Sequence, residues 1–541
     1  MTRINIAVAV FLGLPCAAQD YGRGPVEAHY EVRAERVEAV EGEIPLWVRL
    51  RISDPPGTRL VFEIPVWTPG SYRLRDFPDR IHEVAARGPD GPIDVMRLNR
   101  QAYELRLPPA GDVEFTYRVD LRDNDRFMMR GPKRRCLTYE GPQVYMYARG
   151  LKSVPCHVDF ALPEGWEVGS GLTLDPDGSG YFADNYDFLA DCPVKLGAFQ
   201  KWTFESHGTP IDVVLDGPAD LELDDAAWLA NIQKITDVQG DLFGGFPFAR
   251  YTFLFTAAPR GVGGGLEHLT STAIGLSAAS LARSPRTGMG VTAHEFFHLW
   301  NVKRLRPRAL GPFDYTRPNR TTGLWLMEGV TSYYTEVTLA RCGLRSADTF
   351  WRSMARSISG LESAPGRHHT SSAMASFSVW DAKPRDRAVN YYTSGSVLGL
   401  LLDLEIRSRT DNRRSLDDFM RALYAVCRDR GHGYDDEDLV SIASTTAGAD
   451  LSEWFDRYVT GTVVPDYATA LGHAGMTYSG EETTRRGLRG LRTGAAGGAP
   501  IYADPDARGV EAVLRASGRV VELDGEPVAD RDELVERLAD R

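Results

Sequence analysis

The run His294-Glu295-Phe296-Phe297-His298 sets two imidazoles four residues apart. On a helix they stand one turn above each other on the same face, close enough to hold one ion between them. Glu295 is turned about 100° from His294, beside that ion and not on it, where a carboxylate takes a proton from an attacking water. Phe296, Phe297, Leu299 and Trp300 surround the trio with apolar side chains, which predicts a buried helix. Three unpaired polar groups there would be costly, and a metal removes that cost. A hydrolytic zinc takes three protein ligands and keeps one position open. Leu324-Trp325-Leu326-Met327-Glu328-Gly329 places a carboxylate at the start of a second, largely apolar helix, so Glu328 is the candidate third ligand. The competing reading of Glu328 is a helix-start acid interacting with the dipole. Asn301, Lys303 and Arg304, just beyond the histidines, read as a solvated basic face, with fixing the helix and the groups behind the metal ligands as the alternative.

Three stretches must position these groups. Over residues 26–205 Leu46, Val48, Leu50 and Ile52 alternate with polar residues, as do Val113, Phe115, Tyr117, Val119 and Leu121. That is the pattern of half-buried antiparallel strands, and turns such as Asp54-Pro55-Pro56-Gly57 between them favour a sandwich-like β domain. No catalytic group stands out in it. Over 206–464 the period becomes helical: Leu416, Phe419, Met420, Leu423, Tyr424 and Cys427 recur at three and four residues behind a Ser415 cap. Residues 465–541 read as a small α+β module, with a strand near Val520–Leu523 and a helix over Asp530–Ala539.

Composition narrows the function. The 541 residues are 43% hydrophobic and 25% charged with net charge -12, an ordinary globular mix whose acidity argues against nucleic acid as a partner. Ile4 to Pro15 is a short apolar run behind Arg3, followed by Cys16-Ala17-Ala18, which reads as a signal peptide over 1–18 and predicts export to the periplasm or beyond. No apolar stretch is long enough for a stable membrane anchor. Cys136, Cys156, Cys192, Cys342 and Cys427 lack metal-binding spacing; an oxidising compartment would allow one disulfide among the first three.

Further segments sharpen the picture. Trp67-Thr68-Pro69-Gly70-Ser71-Tyr72 with Arg75-Asp76-Phe77, then Gly264-Gly265-Leu266-Glu267-His268, then His294 through Pro307, Glu328-Gly329-Val330-Thr331 and Tyr391-Tyr392-Thr393-Ser394-Gly395 follow in order. With them the sequence resembles the glycyl aminopeptidase family of zinc metallopeptidases. The resemblance implies an α+β multidomain chain: an N-terminal antiparallel β domain, a thermolysin-like catalytic domain with a helical lobe, and a C-terminal PDZ-like domain, here short or incomplete. It implies one zinc ion on His294, His298 and Glu328, with Glu295 as general base. It also implies that Glu267 binds the free α-amino group of a peptide beside Gly264 and Gly265, and that Tyr392 donates to the oxyanion. The expected function is release of N-terminal residues, glycine or another small one, from peptides with a free N-terminus. A thermolysin-like endopeptidase and a non-catalytic extracytoplasmic peptide-binding protein are the alternatives. For Glu267 the plainer reading is a strand-edge acid; for Tyr392, a core aromatic heading a helix.

Overall fold

The computed structural model describes residues 26–35, 43–122, 125, 127, 135–175, 177–259, 263–381 and 388–478, together with short strands within 491–527. Alternation does what it implies in the strand Glu43–Ile52, whose Leu46, Val48, Leu50 and Ile52 are each 2% exposed or less. This strand pairs along its length with Val113–Arg122, and both lie inside an eight-stranded sheet. A second, four-stranded sheet containing Arg59–Glu63 and Ala102–Arg106 faces it. Phe62 of one stacks on Phe115 of the other with ring centroids 4.3 Å apart, so the two share a core as in a sandwich.

One pair departs from the antiparallel expectation: Ala28–Ala34 runs parallel to Cys156–Ala161. The two strands come from opposite ends of this region, so no tight hairpin fixes their relative direction. Cys136, Cys156 and Cys192 are buried and free, so the disulfide that export would allow is not formed among them.

A larger departure lies between residues 200 and 277, where helical periodicity was the expectation for most of the stretch. Five strands form a sheet there in the order Gln200–Ser206, Thr209–Asp216, Tyr251–Ala258, Ser271–Ser277, Gly264–Glu267. The middle three are parallel, with the helix Asp225–Phe243 crossing between the first two of them. All eight residues of Tyr251–Ala258 are buried. A strand covered on both faces carries a continuous apolar run, which looks like a buried helix in sequence. Gly264–Glu267 returns antiparallel to Ser271–Ser277 and forms the edge of the sheet.

Beyond it stands the helical lobe. Ser415 caps Leu416–Arg430, with Asp418 returning a bond to the Ser415 amide, and Leu416, Phe419, Met420, Leu423 and Cys427 are buried as the spacing requires. Among the described residues no helix is long and apolar enough to cross a membrane. Near the C-terminus, Gly518–Leu523 pairs with Leu491–Gly494, Ala499–Ile501 and Glu526–Pro527. The helix expected over 530–539 and the signal peptide over 1–18 lie outside the described residues.

Candidate active site

The helix Met289–Phe297 carries His294 and Glu295, and His298 closes its last turn. Ala293, Phe296 and Phe297 are fully buried and fix its rotation, which turns both histidines to one side. Glu328 comes from a π-helical turn, Trp325–Val330, that leads into the helix Thr331–Arg341. A π turn holds one more residue than an α turn, a common device for re-aiming a side chain at a functional site. The result is convergence: Glu328 Oε2 lies 3.4 Å from His294 Nε2 and 3.3 Å from His298 Nε2.

The outer ring nitrogens are held from behind. His298 Nδ1 donates to the Asn301 carbonyl at 2.7 Å. Thr335 Oγ1 gives its hydrogen to the Thr331 carbonyl and so accepts from His294 Nδ1 at 3.2 Å. Both rings thus direct Nε2 inward, the arrangement in which imidazoles ligate metals. Burial opposes charge on His298, but Glu328 outweighs it and takes the imidazole up to about 10. Burial likewise works against charge on Glu328, and the two histidines hold it well below the ordinary carboxylate range. Two imidazole nitrogens and one carboxylate oxygen thus converge, from buried His298 and Glu328 and half-buried His294, and this donor set fits a zinc ion.

Two more carboxylates approach this set. Ligand atoms of Glu267, Glu295 and His298 all lie within 4.8 Å of one another, and all three residues are buried. Glycines make room for them. A Cβ at Gly265 would fall 2.3 Å from Glu295 Cγ and 2.4 Å from its Oε1. At Gly70, in the left-handed conformation, it would fall 2.7 Å from Glu267 Oε1. Because the clash at Gly265 is with a side chain and not backbone, Gly265→Ala is expected to move Glu295 aside while the fold survives. Steady-state kinetics should show kcat lowered about 10²-fold, the cost of roughly 1 Å of misplacement, with the unfolding midpoint nearly unchanged.

Gly70 belongs to the turn Trp67–Tyr72 of the N-terminal sheets, a region where the sequence had shown nothing catalytic. Its Gly70 and Tyr72, with Trp67, Glu267, Val302 and Lys303, line a cavity of about 20 Å³ beside the site. Tyr392 opens the helix Tyr391–Arg409, with its ring centroid 6.0 Å from that of His294. It is 37% exposed at the mouth of the cleft, and desolvation there, then Glu328, raise its phenol so that it keeps its proton. Its helix is brought in by glycine on glycine: a Cβ on Gly395 would lie 2.0 Å from the Trp325 carbonyl, and one on Gly329 2.3 Å from Gly395 Cα.

The expected basic face at Asn301, Lys303 and Arg304 is instead interior. Asn301 Nδ2 donates to the Leu326 carbonyl and to Thr331 Oγ1, at 2.9 and 3.0 Å, fastening the loop after His298 to the turn that bears Glu328. Arg304 donates to the carbonyls of Leu269 and Leu299. Lys303 Nζ donates to Asp191 Oδ1 at 2.7 Å, and Asp191 Oδ2 accepts from the Leu269 amide at 2.6 Å. Between Asn301 and Lys303, β-branched Val302 is held at φ +144°, a conformation that persists only when both neighbours are anchored.

Asp191 therefore ties the segment after His298 to the one after Glu267. Burial would raise its pKa, but Lys303 and His268 outweigh burial and bring it to about 2. A depressed carboxylate stabilises the fold above its unfolded value near 3.9, here by about 2 kcal/mol, and loses that contribution as pH falls toward about 2. Asp191→Asn, which leaves Lys303 buried without a counter-ion, is expected to cost about 3–5 kcal/mol in urea unfolding at neutral pH. The gap to the parent chain should narrow below about pH 4.

The model of the peptidase M61 N-terminal domain matches residues 29–198, and that of M61 glycyl aminopeptidase matches 287–398. An aminopeptidase N family protein from Idiomarina loihiensis superposes with TM-score 0.80 at 24% identity, over 94% of this chain and 91% of that one. An M1 zinc metallopeptidase from Deinococcus radiodurans gives TM-score 0.51 at 14% identity, over 82% and 95%. A mutant of the latter, at the same score, is bound to the substrate Tyr-Ser-Ala. These structural likenesses are of fold. No curated protein matches the sequence.

Proposed function

We propose that this chain, which belongs to the M61 glycyl aminopeptidase family, is a zinc-dependent aminopeptidase that removes glycine or another small residue from peptides with a free N-terminus. The observation that carries this reading is the buried Glu267 carboxylate beside Glu295 and His298. Neither metal binding nor proton transfer requires it, and Lys303, which lines the same cavity, is engaged by Asp191. An α-ammonium is the partner it suits, and pairing there fixes the distance from chain end to scissile bond.

Zinc, when held by His294, His298 and Glu328, supplies Lewis acidity toward the scissile carbonyl and acidifies water. Glu295 takes the proton of the attacking water and returns it to the departing amine. Tyr392, protonated, donates to the oxygen on which negative charge develops. Gly264–Glu267, as the edge strand, is where an extended peptide adds by main-chain hydrogen bonds. Trp67, Gly70 and Tyr72 crowd the space beside Glu267, which favours a small first residue. The apolar run Ile4 to Pro15 supports a place of action outside the cytoplasm.

Paired substrates test this: a glycyl peptide amide and its N-acetyl form, with the parent chain and with Glu267→Ala. The free amine is expected to be hydrolysed far better. Glu267→Ala should lower its kcat/KM by about 10- to 100-fold, the worth of a charge-assisted pair, and leave the acetylated form unaffected. Equal cleavage of both forms would assign an endopeptidase instead.

A further inference from the structure

A second group of metal-ligating side chains lies on the N-terminal eight-stranded sheet and shares no residue with the cleft. The parallel pairing of Ala28–Ala34 with Cys156–Ala161 puts His29 directly opposite His157. Their rings lie nearly parallel, at 10°, with centroids 4.7 Å apart. Glu27, just before the first strand, brings one carboxylate oxygen within 3.3 Å of His29 Nε2 and 4.0 Å of His157 Nε2. The three ligand atoms all fall within 4.8 Å of one another. Around a tetrahedral ion with bonds of about 2.0–2.1 Å, ligand atoms stand about 3.4 Å apart, so small side-chain rotations close the set. Each of the three side chains is about one-third exposed, which leaves those rotations open.

The surroundings also suit a metal. His157 Nδ1 faces Asp175 Oδ1 at 3.7 Å, the carboxylate behind an imidazole that orients the ring and leaves Nε2 as the ligand.

We infer that Glu27, His29 and His157 form a second site for a divalent cation of the Zn²⁺ or Cu²⁺ class. Two imidazoles and one carboxylate select such borderline ions over Mg²⁺ or Ca²⁺. Since Glu27 precedes the first strand and His157 lies in a strand far along the chain, the ion pins the start of the sheet to its parallel neighbour.

The test is Zn²⁺ stoichiometry, by competition with a chromogenic chelator, on the full chain without an affinity tag and stripped of metal. The parent chain is expected to take up two equivalents. His29→Gln/His157→Gln should take up one and keep its peptidase activity. His294→Gln/His298→Gln should also take up one, so that failure of this site and failure of the cleft are told apart. Asp175→Asn, which leaves every ligand in place, should weaken the second equivalent by about 10- to 100-fold. Two equivalents retained in His29→Gln/His157→Gln, or none in His294→Gln/His298→Gln, would overturn the assignment.

Discussion

Glu295→Gln is expected to lower kcat by about 10²–10⁴-fold, the usual contribution of a positioned general base, with little change in KM or bound zinc. Glutamine keeps the shape of glutamate and its close approach to Gly265, where a Cβ would meet Cγ at 2.3 Å, so the packing of the site survives. What it loses is the capacity to accept the proton of the attacking water. The carboxylate is buried at 5% exposure beside His298, so bulk water cannot take over that transfer. Steady-state kinetics together with elemental analysis of the same sample check this. A kcat within a few-fold of the parent, at full metal content, would remove Glu295 from the chemistry.

Removal of the metal is the second large effect. Chelation is expected to bring hydrolysis to background, and one equivalent of Zn²⁺ placed in the cleft to restore it. The chain should remain folded throughout. Glu328 and His298 are nearly inaccessible, at 3% and 1%, yet each compensates the other's charge. The ion-free site therefore does not leave a buried charge unpaired, the condition that unfolds proteins. An ion bound at about 1,000 times its dissociation constant still adds about 4 kcal/mol, so the melting temperature should fall on chelation while the circular dichroism stays native. Unchanged hydrolysis after chelation would contradict the scheme.

Much of this site was legible because its logic is local. The spacing of His294 and His298 holds on any helix, and the aromatic residues between and after them announce burial. The position of Glu328 was legible as an acid in an apolar helix start, but the π-helical turn that aims it has no sequence signature. Lys303 shows why the rest was hidden. Beside Arg304 it resembles a solvated charge cluster, and only the fold supplies Asp191, 112 positions away, as its partner. The same holds for Gly70, whose place against Glu267 joins two regions distant in sequence. In the fold, strands exposed on one face, such as Glu43–Ile52, announced themselves by alternation. Tyr251–Ala258, covered on both faces, could not.

On the proposed function, His294, His298 and Glu328 together hold a zinc ion while Glu267 and Glu295 stay off it. Anomalous scattering measured on both sides of the zinc edge, from crystals of the active enzyme, addresses it directly. The expected result is one strong peak in the cleft, bonded to His294 Nε2, His298 Nε2 and the Glu328 carboxylate. Active crystals with no peak at that position, or a peak bonded to Glu267 or Glu295 in place of Glu328, would contradict it.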